Sequence, residues 1–229
     1  MDRNSFSISR IDALDAKWAV EEEFLSFFSS LTARDAIACH NWEKDFPHRF
    51  PHYPHNQHVM FRMAYSGRFL YVYWHMVSDG LKALYAADLE PVAQDHCMEF
   101  FVQLPNEKEY WNFELNALGT LNASHRVERP CPTRLSTEQL RSVLRKGSHV
   151  GASPFEIKED TTAWWVAVAI PWELFGVRPG SFPDFLMGNL YACAGSIEHP
   201  YYISCFPITT ERPDFHRPEF FGKINLLHS

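Results

Sequence analysis

Residues 58–77 read HVMFRMAYSGRFLYVYWHMV. Two apolar-rich runs flank Ser66-Gly67, and in the second run Leu70, Val72, Trp74 and Met76 recur at a period of two. That period sends alternate side chains to opposite faces of an extended chain, so the segment predicts a β-hairpin with those four residues on a buried face. Outward from it the pattern repeats. HCMEFFVQL (96–104) and EYWNFELNALGTL (109–121) read as a second pair of strands. TAWWVAVAIPW (162–172) alternates Trp164, Val166, Val168 and Ile170 with smaller residues. LMGNLYACAG (186–195), YYISCF (201–206) and GKINLL (222–227) complete a series of about nine strands. Leu70, Val72, Trp74, Val166 and Val168 are expected between two sheets.

Two stretches break the alternation. In DALDAKWAVEEEFLSFFSSL (12–31) Leu14, Trp18, Phe24, Phe28 and Leu31 recur at three- and four-residue spacings. This predicts an amphipathic helix capped by Asp12 or Asp15, with Glu21 to Glu23 toward water. STEQLRSVLRKG (136–147) predicts a short helix in which Ser136 and Gln139 have capping-box spacing and Gly147 ends the run. Short strands with few helices between them indicate an all-β antiparallel sandwich, not a doubly wound α/β sheet. The expected organisation is a helical extension over 1–35 packed on a sandwich domain over 36–229.

Composition narrows the partners. The 229 residues carry 21 basic against 28 acidic side chains, net −7, which argues against a nucleic-acid binder needing a basic face. No run approaches the ~20 apolar residues of a membrane span. The opening MDRNSFSISRIDALD lacks a basic segment followed by an apolar core, and the five cysteines include no CxxC pair. A reduced, cytoplasmic setting is therefore expected, with secretion left open.

The strand with the most chemistry is YWNFELN (110–116). Trp111, Phe113 and Leu115 take one face; Asn112, Glu114 and Asn116 take the other. Amide and carboxylate groups held in a row are the donors and acceptors that sugar hydroxyls use, although an ordinary wet sheet face reads the same way. On the neighbouring run Asp95, Cys97, Glu99 and Phe101 share a face, so pairing of the two strands would bring Glu99 beside Glu114. Two carboxylates also raise acid/base chemistry of the glycosidase kind. No GxSxG, P-loop, GxGxxG or HExxH run is present. The histidine-rich stretch FPHRFPHYPHNQH (46–58) places His48, His52, His55 and His58 among three prolines, which forbid a helix that would gather the imidazoles. It reads as a polar loop with no transition metal.

QDHCMEFFVQ, YWNFELNALGTL, AIPWELFG and PDFHRPEFFGKINL, in that order, resemble successive segments of the family 9 carbohydrate-binding modules and their relatives. The likeness spans Cys39 to Leu227 and implies a β-sandwich that recognises sugars, with structural calcium in many members. In such modules two tryptophans clamp the sugar ring, while a glutamate, an arginine and asparagines hold its hydroxyls. The glutamate falls on Glu99 and one asparagine on Asn116. The arginine position is Glu114 here, and the tryptophan positions fall near Ala93 and at Cys205, so both platforms are replaced. Together with the polar strand faces, this gives an expected ligand set of Asp95, Glu99, Asn112, Glu114, Asn116, Tyr191, Cys205 and His216, with Tyr191 and His216 at the margin. His216 is expected to hold the closing turn more than to touch ligand. Asp79, Asp88 and Asp95 are the candidate oxygen donors for calcium. The implied function is sugar recognition linked to polysaccharide or sugar catabolism. The alternatives are an enzyme on the same scaffold using Asp95, Glu99 and Glu114, or an interaction module that no longer binds sugar.

Overall fold

The computed structural model describes residues 5–31, 34–35, 57–198 and 200–228. Strands β1 (Ser5–Ser9), β2 (Arg34–Asp35), β3 (His58–Tyr65) and β4 (Phe69–Ala83) precede β5 (His96–Gln103), β6 (Tyr110–Asn116), β7 (Leu121–Arg126) and β8 (Pro132–Arg134). Then come β9 (Leu144–Gly147), β10 (Phe155–Pro171), β11 (Phe185–Ala194), β12 (Tyr201–Ser204) and β13 (Gly222–Leu227). Helices α1 (Leu14–Lys17) and α2 (Glu21–Ser30) lie near the start, and α3 (Thr137–Ser142) lies between β8 and β9. One sheet runs β1-β13-β11-β5-β6-β7-β8, with β12 also on β11; the other runs β2-β3-β4-β10-β9. Only β1 and β13 pair in parallel among these named strands. The all-β antiparallel sandwich stands as expected.

The period-two hairpin decides the small sheet. β3 and β4 pair from His58↔Val77 to Tyr65↔Leu70, and β10 lies along the other edge of β4. Leu70, Val72, Trp74, Val166 and Val168 are each fully buried in the core between the sheets. Met98, Phe100, Phe113, Leu115 and Leu190 of the large sheet close that core from the opposite side.

Helices α1 and α2 cover the outer face of the small sheet. Leu14, Trp18, Phe24 and Phe28 pack on Ala64, Tyr71, Tyr73, Ala167 and Ala169. The single helix expected over 12–31 is two, because Val20 is extended (φ −113°, ψ 114°). Neither Asp12 nor Asp15 caps a helix. Asp12 accepts from the Gly67 amide at 2.7 Å and Asp15 from the Tyr71 hydroxyl at 2.5 Å, so both acids tie the helical segment to the sheet. The opening residues also differ from a purely helical extension, since β1 joins the large sheet with Phe6 and Ile8 buried. Ser136 and Gln139 form the expected capping box, but the helix stops at Ser142, and Leu144–Gly147 pairs with β10.

Asn189 fixes how the chain leaves β12: its amide nitrogen donates to Phe206 O at 3.0 Å and its oxygen accepts from Phe206 N at 2.8 Å. The Phe206 ring then lies where a Cβ on Gly222 would have to sit. Gly222→Ala is expected to cost about 1–3 kcal/mol, the range for forcing a methyl into a packed core. Thermal unfolding measures it, and an unchanged midpoint would contradict this packing.

Candidate functional site

Strand alternation gives the large sheet two unlike faces. Met98, Phe100 and Val102 of β5 point to the inter-sheet core, whereas Cys97 and Phe101 join Tyr110, Tyr191 and Cys193 in a separate outer cluster. Val92, Ile208, Phe215 and Phe221 from flanking segments cover that outer face. Polar side chains on it are therefore buried: Glu99 is 3% exposed and Glu114 6%.

The register brings the two glutamates together. Glu99 is the cross-strand partner of Glu114 on one side and of Tyr191 on the other. Glu114 is held by both oxygens, accepting from Asn112 Nδ2 at 2.8 Å and Asn122 Nδ2 at 2.9 Å. Asn112 Oδ1 in turn accepts from Ser124 Oγ at 2.7 Å and Arg126 Nε at 2.8 Å. Glu99 has a thiol instead: Cys193 Sγ lies 3.1 Å from its Oε1. Both glutamates border an open cavity of about 270 Å³, whose lining also includes Ala93, Arg129, Tyr202, Asp214, Phe215 and His216. That volume is at the lower edge of the roughly 300–1,000 Å³ of small-molecule sites.

Burial sets the charge state of the floor. It raises the Glu99 carboxyl well above its usual range, aided by the Cys193 thiol and by Glu114, and so favours its protonated form. Burial raises Glu114 as well, while Asn122, Arg126 and Asn112 pull it back. His216 is lowered to about 3, chiefly by burial and then by Arg126 and Arg129, and is a neutral ring. An acidic floor would repel uronic acids; burial acts on both carboxyls to lessen the floor's negative charge.

That state makes a checkable prediction. A carboxyl with a raised native pKa keeps its proton when the unfolded chain loses it. Its contribution to stability therefore declines as pH rises from about 4.5 toward the native value. Glu99→Gln removes this decline, so the variant's melting temperature relative to the parent should climb from pH 4 to pH 8. A flat or falling difference would show Glu99 ionised in the folded protein.

Several expected ligands have other duties. Asp95 is fully buried, and its Oδ2 accepts from the Leu84 and Tyr85 amides at 2.9 and 3.0 Å and from Asn116 Nδ2 at 2.9 Å. Asn116 also donates to Tyr85 O and accepts from the Leu118 and Thr120 amides. These two residues lock the loop after β4 and do not line the cavity. Tyr191 stacks beneath Phe215 at 4.1 Å and supports the cavity wall from behind. Cys205 is turned to the core: Tyr202 and Ser204 share the outer face, so Cys205 falls on the other side. His216 does line the cavity, and its Nδ1 hydrogen-bonds the Tyr110 hydroxyl at 2.9 Å. Ala93 lines it too, where a platform tryptophan was expected to be replaced.

The aromatic walls were not anticipated. Tyr202 faces the cavity because it is the partner of Cys193, and Phe215 because the loop before β13 folds back over the sheet. The period of YYIS carries the first signal; nothing local carries the second. Arg129 stands at the mouth, 3.2 Å from Asp214.

The calcium donors do not assemble. Arg145 grips Asp88 with two nitrogens, at 2.7 and 2.9 Å, and Asp79 is an exposed residue bordering a different cavity. Asp95 keeps one oxygen, Oδ1, without a partner, far short of the six to eight that Ca²⁺ takes. His48, His52, His55 and Cys39 lie outside the described residues; His58 is exposed on β3.

The model of carbohydrate-binding family 9 matches residues 30–226, and the chain belongs to that family. Among solved structures it is similar to a Bacteroides uniformis ATCC 8492 protein with a provisionally assigned carbohydrate-binding role. The TM-score is 0.83 and the identity 28%, covering 98% of this chain and 99% of that one. A family 9 module from Caldicellulosiruptor kristjanssonii in complex with glucose aligns at TM-score 0.57 and 10% identity, covering 98% and 96%. Its complex with cellotriose aligns at 0.54 and 10%, covering 97% and 93%. At 10% identity these two show the fold alone. No curated protein matches the chain.

Proposed function

We propose that this protein is a carbohydrate-binding module whose ligand occupies the cavity above Glu99 and Glu114, serving polysaccharide or sugar catabolism. The observation that carries the reading is the pairing of those two carboxyls at the base of an aromatic-walled cavity of about 270 Å³. Hydroxyl-rich ligands need several donors and acceptors in fixed positions, and adjacent strands supply them. Glu99, whose burial favours the protonated form, can offer a donor as well as acceptor capacity; Glu114, clamped by two amides, offers what its asparagines leave unused. Tyr202, Phe215 and His216 supply apolar surface for a sugar ring in place of the tryptophans expected near Ala93 and at Cys205. Family membership and the described roles of the similar proteins support sugar as the ligand class; the cavity's size supports a single ring or a chain end.

Titration calorimetry of chelator-treated protein against neutral mono- and oligosaccharides tests the reading. Binding is expected to weaken at least tenfold in Tyr202→Ala. Assay of the same mixtures for newly formed reducing ends separates binding from catalysis by the two glutamates. Absence of binding to any sugar would sink the proposal.

A further inference from the structure

Cys97 and Cys193 carry chemistry that sugar recognition does not use, and they stand beside Glu99. Cys97 and Glu99 are two residues apart on β5 and so share the outer face, and Cys193 on β11 is the cross-strand partner of Cys97. The two sulfurs and a Glu99 oxygen all lie within 4.8 Å of one another, and all three residues are buried. Cys193 Sγ, with Glu99 3.1 Å away, borders the open cavity, so the cluster has a path to solvent.

We propose that these three side chains form a binding site for a zinc-like divalent cation, with its fourth coordination position facing the cavity. The three atoms lie within 4.8 Å of one another, one pair at 3.1 Å, so small side-chain shifts bring them to the spacing of the ion. Tetrahedral zinc holds sulfur at about 2.3 Å and carboxylate oxygen at about 2.0–2.2 Å, which sets ligand atoms roughly 3.5–3.8 Å apart. Two thiolates select a borderline-soft metal over Ca²⁺ or Mg²⁺, which take oxygen. Two thiolates and a carboxylate against a dication leave one net negative charge, and Arg129 lines the same cavity. A water or a ligand hydroxyl completes the shell.

Metal binds the thiolate and carboxylate forms, so it must displace any protons these ligands carry. Burial raises both the Cys97 thiol and the Glu99 carboxyl. Binding should therefore release protons, and affinity should climb with pH. The site shares Glu99 with the sugar reading but is tested apart from it, since the probe is the metal alone.

The test is titration of the reduced, metal-free protein with Co²⁺. A one-to-one endpoint with thiolate-to-cobalt charge-transfer absorption and the visible bands of a tetrahedral ion is expected, bleached by added Zn²⁺. Cys97→Ser and Cys193→Ser should each abolish the charge-transfer signal or weaken binding at least a hundredfold, and Cys131→Ser, at an exposed thiol, should leave it intact. X-ray absorption on the unmutated zinc-loaded protein counts the sulfurs without relying on a variant's folding: two are expected. No cobalt spectrum in the reduced protein, a signal that survives Cys97→Ser, a shell without two sulfurs, or retention of a Cys97–Cys193 disulfide under reducing conditions that admits no metal would each overturn the site.

Discussion

Asp95→Ala is expected to lower the unfolding free energy by about 3–5 kcal/mol, because one buried carboxylate oxygen serves three donors at once. Removing it takes the shared acceptor from the Leu84 and Tyr85 amides and from the Asn116 side chain. The damage should spread through Asn116, whose oxygen turns the chain between β6 and β7 by accepting from Leu118 and Thr120. Asn116→Ala should therefore destabilise by a similar amount, and the double variant by clearly less than the sum, since both delete the same loop lock. Urea unfolding of the three variants measures this. Full additivity would mean that the two residues act separately, and a loss below about 1 kcal/mol would mean that the loop does not depend on them. Had Asp95 been a ligand contact, its loss would weaken binding and leave stability nearly unchanged.

The second large effect concerns the ligand. A sugar that lacks the hydroxyl placed against Glu99 and Glu114 should bind about 10- to 100-fold more weakly than its parent. A desolvated partner left unpaired costs about 1–3 kcal/mol, and each 1.4 kcal/mol is tenfold. The aromatic walls cannot make good the deficit, because they stack on any ring face and do not distinguish hydroxyls. A series of deoxy sugars measured by calorimetry at one pH would show a single position with an outsized penalty. Equal, small penalties around the ring would instead place recognition on the walls and leave the glutamates as floor only.

How far the sequence led can be judged from particular residues. The period of two in residues 69–77 fixed β4 and its buried face, and YWNFELN placed Glu114 on the face opposite Phe113, where it lies. Pattern gave no such help at β1. Phe6 and Ile8 do alternate with serines, but five residues are too short a run to stand out, and their partner β13 is more than 200 residues away. The site was half legible for a related reason. Parity tells which face a residue takes, so Glu99, Asn112 and Glu114 came out together. It does not tell which polar groups the backbone will claim, and Asp95 and Asn116 went to the loop beside them. Parity also puts Cys205 on the core face once Tyr202 is known to face outward. Phe215 and Arg129 arrive from loops whose return over the sheet has no local signature.

The measurement that bears most directly on the central claim is the binding of one neutral sugar to three proteins: the parent, Glu114→Ala and Glu22→Ala. Glu114 borders the cavity beside Glu99, whereas Glu22 lies on the exposed side of α2. Calorimetry on metal-free samples, each shown by circular dichroism to be folded, should give at least a tenfold loss for Glu114→Ala and none for Glu22→Ala. Unchanged affinity in Glu114→Ala would contradict the account and put the sugar on another surface of the sandwich.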